Sequence, residues 1–377
     1  MNKYLMTPGP VPVSTEVSLA GARALIGHRG REFSALFSGI ETKLSRLLRS
    51  GGCTVIFPSS GTGALESLAV NFTGPGTKVI SVSCGVFGDR FREITALTGA
   101  EMINVDVTPG EGVQPAVVAD AVKANPGASV LLLTQNETAT GVFNRLDEII
   151  AALPKDNRPL VLADGVSSIG AMPCFPEAWG IDGLAFASQK GLLTPPGLGL
   201  VWLSKRGWDA VSKRKCPSYY FDLSRQKKDL EREAPENPYT PPVSLYFALD
   251  AALDAVLADG WLELRARAAR AFAAGLEALG FTLLVKDAKF RSPGVTAFYH
   301  PSGATKEIEK NLKGLGIEPA GGQGELKDRL LRISHYHDVR WPEITLALGG
   351  LYAALGDENR KGSGDFVRAA FEAWEAK

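Results

Sequence analysis

The sequence predicts an α/β protein: a large domain whose mostly parallel sheet is sandwiched by helices, then a smaller α+β domain at the carboxyl end. Three observations carry that prediction. Short apolar runs alternate with segments whose apolar residues recur at helical spacing, the pattern of strand–helix–strand units. Glycines, small hydroxyls or charged residues follow those runs, so a polar edge forms where the strands finish. The chain has 377 residues, more than one hydrophobic core usually serves, so two domains are expected.

The elements follow in order. Residues 1–20 form an arm holding Thr7-Pro8-Gly9-Pro10-Val11-Pro12. Its prolines lack donors and fix φ, so it reads as rigid extended chain. The large domain spans 21–260. Gly27-His28-Arg29-Gly30-Arg31 leads into a helix from Glu32 to Arg49, with Phe33, Leu36, Phe37, Ile40 and Leu44 on one face. The strand Thr54–Phe57 opens a helix through Pro58-Ser59-Ser60-Gly61-Thr62-Gly63. The strand Val79–Ser83 passes through Cys84-Gly85-Val86-Phe87-Gly88-Asp89-Arg90 into the next helix. Ser129–Leu133 is a strand followed by the polar run Thr134–Thr140, and Leu146–Leu153 a helix. Leu160–Ala163 ends in Asp164, and Gly183–Ala187 ends in Ser188-Gln189-Lys190. Leu200–Leu203 is a return strand, antiparallel because so few residues intervene. Lys213 to Glu236 mixes acids and bases and reads as a solvated, ion-paired segment, before a helix starting near Val243.

The smaller domain spans 261–377. It begins with a helix from Leu262 to Leu279 that Gly280 terminates. Strands follow at Phe281–Val285, Val295–Tyr299 and Leu330–Ser334, with helices at Lys306–Gly314, Trp341–Leu355 and Phe366–Ala376. Gly356 to Asp365 reads as a flexible connection.

Composition removes several function classes. Lys+Arg and Asp+Glu are both 41, so the basic footprint of a nucleic-acid binder is missing. Cys53, Cys84, Cys174 and Cys216 are far apart and form no CxxC pair, which disfavours a zinc or redox site and suits a reducing cytoplasm. The first residues lack the apolar core of a signal peptide, and no apolar run is long enough to span a membrane.

Chemistry concentrates at the strand ends. Asp164 and Lys190 finish two neighbouring strands, where ligands of parallel sheets collect. A salt bridge or a helix cap would account for them without any chemistry. A carboxylate and an amine on that edge also suit pyridoxal 5′-phosphate, which needs a lysine for its Schiff base and an anion beside its ring nitrogen. Ser60-Gly61-Thr62 opens a helix, so its backbone N–H groups can converge on a phosphate; a plain N-cap is the alternative. Gly61-Thr62-Gly63 starts like a dinucleotide fingerprint, but the third glycine and the ribose-binding acid are missing. Phe87 between glycines either lies on an aromatic ligand or packs in the core. Arg332, in an apolar strand, needs an anion: Asp328 or a substrate carboxylate. His335 and His337 share a strand face with no third ligand in view, so no metal is expected.

Together these stretches resemble the fold type I pyridoxal-phosphate enzymes, specifically the class V aminotransferases. The likeness is greatest to the alanine–glyoxylate and serine–glyoxylate group and runs from Thr7 to about Leu355. It implies a seven-stranded-type sheet and a homodimer with shared active sites. It implies that Lys190 matches the Schiff-base lysine, Asp164 the partner of the ring nitrogen, and Val166 the residue under the ring. Ser60, Gly61, Thr62 and Gln189 match phosphate contacts, Phe87 the stacking aromatic, and Thr138 a hydroxyl near the phenolic oxygen. Thr240 matches a phosphate contact given by the partner subunit. Arg332 matches the receiver of the substrate carboxylate, with Gly9 and Arg29 on the substrate side. Two departures stand out: Phe87 replaces the tryptophan of some relatives, and Asn237 stands where some place a tyrosine, with Tyr239 a substitute. The implied reaction is ping-pong transamination between an alanine- or serine-type amino acid and a 2-oxo acid such as glyoxylate or pyruvate. An enzyme for phosphonate or other anionic side chains stays open through Arg29 and Arg31. A lyase is disfavoured because Gly321-Gly322-Gln323-Gly324 has no cysteine.

Overall fold

Seven strands form the central sheet of the computed structural model, which describes residues 3–360 and 364–376. Across the sheet they run Thr54–Pro58, Leu198–Leu203, Gly183–Ala187, Leu160–Asp164, Val130–Thr134, Lys78–Ser83 and Glu101–Asp106. Leu198–Leu203 is antiparallel to both neighbours, as the short return predicts. The ladders from Gly183–Ala187 out to Glu101–Asp106 are all parallel. Val130–Thr134 and Gly183–Ala187 are buried along their whole length, because both faces of such a sheet are covered, and Thr134 is their only polar residue. Glu101–Asp106 sits at the edge, part exposed and polar, and sequence periodicity does not reveal it.

Helices fall close to their expected places. Arg31–Leu48 buries Phe33, Phe37, Ile40, Leu44 and Leu48 on one stripe. Trp261–Ala278 ends just before Gly280, whose φ of +86° is the left-handed turn that lets a helix stop. The segment 213–236 departs from expectation. It contains the helix Leu223–Leu230, capped by Asp222, which buries Leu223, Gln226, Asp229 and Leu230. Apolar anchors too few to register as a pattern hold this charged helix down.

The carboxyl-terminal sheet has four antiparallel strands, in the order Thr282–Leu283, Val295–Tyr299, Leu331–Ser334, Ala320–Gly321. The first is shorter than expected and the last is new. A core of its own, including Phe272, Phe281, Phe298 and Leu348, backs this sheet. The arm ties the two sheets together. Tyr4–Leu5 pairs with Ile317–Glu318, the Ser334 N–H donates to the Met6 carbonyl at 2.9 Å, and the Val11 N–H donates to the Gln189 carbonyl at 3.2 Å. The connection 356–365 includes a short helix, Asp357–Arg360, and its residues 361–363 lie outside the described residues. Among the described residues no helix is long and apolar enough to cross a membrane, and the four cysteines are unpaired.

Candidate active site

A cleft of about 430 Å³ opens at the carboxyl ends of the central strands. Asp164, Val166, Lys190, Gln189, Ser60, Gly61, Thr62, Phe87, Arg332 and Gly9 all line it. Asp164 is 5% exposed, and its Oδ1 accepts the Val166 N–H at 2.8 Å. Burial raises its carboxyl to about 6, against the pull of that N–H and of Lys190 and Arg90. Lys190 is driven the other way. Burial, then the charge of Arg332, lowers its amine to about 8. Among the described residues Lys190 makes no ion pair; its Nζ donates to the Pro8 carbonyl at 2.7 Å. The salt-bridge explanation of the Asp164–Lys190 pair therefore fails.

One end of the cleft is built by the helix Gly61–Phe72. Its cap Ser60 accepts the Gly63 N–H, and its first turn holds no acid, which leaves free N–H groups and a favourable dipole for an anion. A Cβ on Gly61 would come within 2.6 Å of Val166 Cγ1, so only glycine lets the helix start reach the wall that Val166 forms. Phe87 stands on the first turn of Val86–Ala96, and Lys190 Nζ lies 5.7 Å from its ring centroid.

Glu137 holds this turn, a role that no local feature of the sequence reveals. Fully buried, it accepts the N–H groups of Phe87 and Gly88 on Oε2 and of Ala139 on Oε1, each at 3.0 Å. Burial raises its carboxyl to about 7, and those N–H groups pull it back. Arg332 is 5% exposed and has no carboxylate partner among the described residues, while Asp328 pairs with Lys306 at 2.8 Å. Its Nε and Nη2 donate to the Gly321 carbonyl at 3.0 and 2.8 Å, and its Nη1 donates to the Thr138 carbonyl at 2.9 Å. One N–H on each terminal nitrogen stays free, the fork that grips a carboxylate.

Three expected residues fall elsewhere in this chain. Arg29 pairs with Glu236 at 2.9 Å and does not line the cleft. The Thr138 hydroxyl donates to Ser167 Oγ at 2.7 Å inside a buried network with Asn136 and Tyr336. Thr240 is exposed outside the cleft. Asn237 is buried, donating to the Ile56 carbonyl, and the Tyr239 hydroxyl donates to the Tyr220 carbonyl. His335 bonds to Pro293 and Thr296, and no cluster able to hold a metal exists among the described residues. Arg90 lines the cleft unexpectedly; its place three residues after Phe87, one helical turn on, was the available signal.

The groups present fit a flat ring with a cationic nitrogen, an aldehyde and a phosphate: a buried unpaired carboxylate, an open amine, an anion-ready helix start. The fold is that of the fold type I aminotransferases. Ureidoglycine–glyoxylate aminotransferase from Bacillus subtilis matches it with a TM-score of 0.92 at 25% identity, over 100% of this chain and 99% of that one. The chain belongs to the class V aminotransferases, whose family description ("Aminotransferase class-V") matches residues 14–330. It is 34% identical over 361 residues to a protein named "Soluble hydrogenase, small subunit" from Synechococcus sp., covering 94% of this chain and 93% of the relative. It is 31% identical over 359 residues to L-aspartate–glyoxylate aminotransferase from Paracoccus denitrificans, covering 93% and 89%. The family implies pyridoxal phosphate as cofactor, and this chain is an aminotransferase.

Proposed function

We propose that this chain moves an amino group, by a ping-pong route, from a small amino acid of the alanine or serine type to a 2-oxo acid such as glyoxylate or pyruvate. One observation carries the reading: Asp164 and Lys190, unpaired with each other, share a cleft with the open fork of Arg332. When bound, pyridoxal phosphate supplies an aldehyde that condenses with amines and a ring that accepts electrons from a breaking Cα bond.

The residues of the chain do the rest. Lys190, lowered to about 8, is partly neutral near neutral pH, so its Nζ can attack a carbonyl and later carry the Cα proton. Asp164, fixed by the Val166 N–H, would keep the ring nitrogen protonated. Ser60, Gly61, Thr62 and Gln189 would hold the phosphate, and Phe87 and Val166 would face the ring. Arg332 would fix the α-carboxylate and so orient the substrate. Gly9 gives room at the amine: a Cβ there would lie 2.6 Å from Lys190 Cε. A homodimer belongs to the same reading, with Thr240 reaching a phosphate in the partner's site. Arg29, already paired with Glu236, is a candidate for the same shared interface.

The test is a half-reaction. Cofactor-loaded protein mixed with L-alanine or L-serine alone should lose its visible absorption and release the matching 2-oxo acid, and glyoxylate should restore the colour. A spectrum that no amino acid changes would contradict the proposal.

A further inference from the structure

Three basic residues line the cleft, and the reaction just described uses two of them, Lys190 and Arg332. Arg90 is left over. It follows Phe87 by one turn of the helix Val86–Ala96, and its guanidinium carbon lies 4.9 Å from the Phe87 ring centroid. Lys190 Nζ is 5.7 Å from the same centroid, so both cations gather at one ring. The helix start that carries Arg90 is anchored by the Glu137 carboxylate through the Phe87 and Gly88 N–H groups.

An arginine kept for structure normally has a partner. The Arg90 side chain makes no hydrogen bond or ion pair among the described residues. Its neighbour Asp89 pairs with Arg92 at 3.4 Å, and both oxygens of Glu137, which holds the same turn, are committed to backbone N–H groups. Contact with the Phe87 ring steadies the guanidinium without using an N–H, so its five donors remain free. The lining thus holds three bases against a single acid, Asp164, and two of the bases, Arg332 and Arg90, carry an open planar fork.

We propose that Arg90 binds a second anionic group on the substrate's side chain, so that the cleft favours an amino acid or oxo acid with two acid groups over a neutral one of equal size. The inference rests on the transamination step of that reading and departs from its neutral donor, since a two-acid substrate becomes the preferred one. The second group is a carboxylate or a phosphonate, since both match the fork. Arg29, the earlier candidate for reading such a group, is held by Glu236 outside this chain's cleft. Arg90 takes its place.

L-Aspartate and L-asparagine differ in charge at nearly equal size, so their kcat/KM ratio isolates the effect. The wild-type ratio should be at least about 10 in favour of aspartate, as for a desolvated charge-assisted pair, and Arg90→Gln should bring it toward unity. Arg90→Lys should keep part of the preference. 2-Amino-3-phosphonopropionate run beside aspartate identifies which anion is preferred. Calorimetric titration of cofactor-loaded protein with succinate gives a readout without turnover: affinity should fall at least about tenfold in Arg90→Gln, and the neutral-ended succinamate should not distinguish the two proteins. A wild-type ratio near one, or a ratio or succinate affinity unchanged in Arg90→Gln, would overturn the proposal. If no amino acid is turned over, the transamination reading fails, and succinate binding still decides the role of Arg90.

Discussion

The two faces of the cleft are built differently. The face that carries Lys190 hangs on one sheet: Asp164 ends one strand, and Ser60 and Lys190 follow two others of the same sheet. The substrate face is assembled from pieces. Arg332 comes from the small sheet, and Thr7 to Pro10 from an arm bonded to that sheet at Met6 and to the lysine turn at Gln189. Bond making is thus tied to the central sheet, and the grip on the α-carboxylate to a seam between the two sheets and the arm.

That contrast sets an order of expected damage. Lys190→Ala should lower the transamination rate by at least about 10³-fold, since nucleophile and base are lost together, while the circular-dichroism spectrum stays that of the wild type. Asp164→Asn should lower kcat by about 10²-fold with a smaller change in KM, because an uncharged amide stabilises the protonated ring poorly. On the other face the effect should move to KM. Arg332→Lys should raise KM for the amino acid by about 10-fold or more, since an ammonium cannot serve the Gly321 and Thr138 carbonyls and a carboxylate with one planar fork. Equal losses of kcat from Asp164→Asn and Arg332→Lys would break the comparison.

Glu137→Gln tests the clamp behind Phe87. Replacing one acceptor oxygen by NH₂ sets two donors against each other and should cost about 1–3 kcal/mol in urea unfolding. An effect of similar size is on pH. The Asp164 carboxyl is raised to about 6 in the fold and lies near 3.9 in an unfolded chain, so the folded state holds more protons between those values. Stability of the cofactor-free protein should therefore fall as pH rises from about 4 to about 6, and Asp164→Asn should flatten that slope. A slope of the opposite sign would mean that the carboxylate is paired, not merely buried.

That Ser60, Asp164 and Lys190 share one edge of the sheet was legible in the sequence because the signals are local. Gly183–Ala187 is buried on both faces, so its apolar run states its own limits, and the polar residue that ends such a strand lies at the sheet edge by construction. Glu101–Asp106 escaped detection because an edge strand need not be apolar. Leu223–Leu230 escaped because its few inward residues are scattered among charges. The task of Glu137 could not be read locally, because it serves N–H groups some fifty residues earlier in the chain. The place of Arg90 one turn after Phe87 was local, but that Asp89 pairs with Arg92 and not with Arg90 was not. Thr138 and Arg332 show the same limit, since a carbonyl rather than a hydroxyl joins them.

The most direct check on the account is where the cofactor becomes attached. Protein loaded with pyridoxal phosphate and reduced with borohydride should carry the added mass on the peptide containing Lys190, and Asp164→Asn protein should carry it there too while remaining slow. Label on another lysine, or none at all, would contradict the assignment of this cleft.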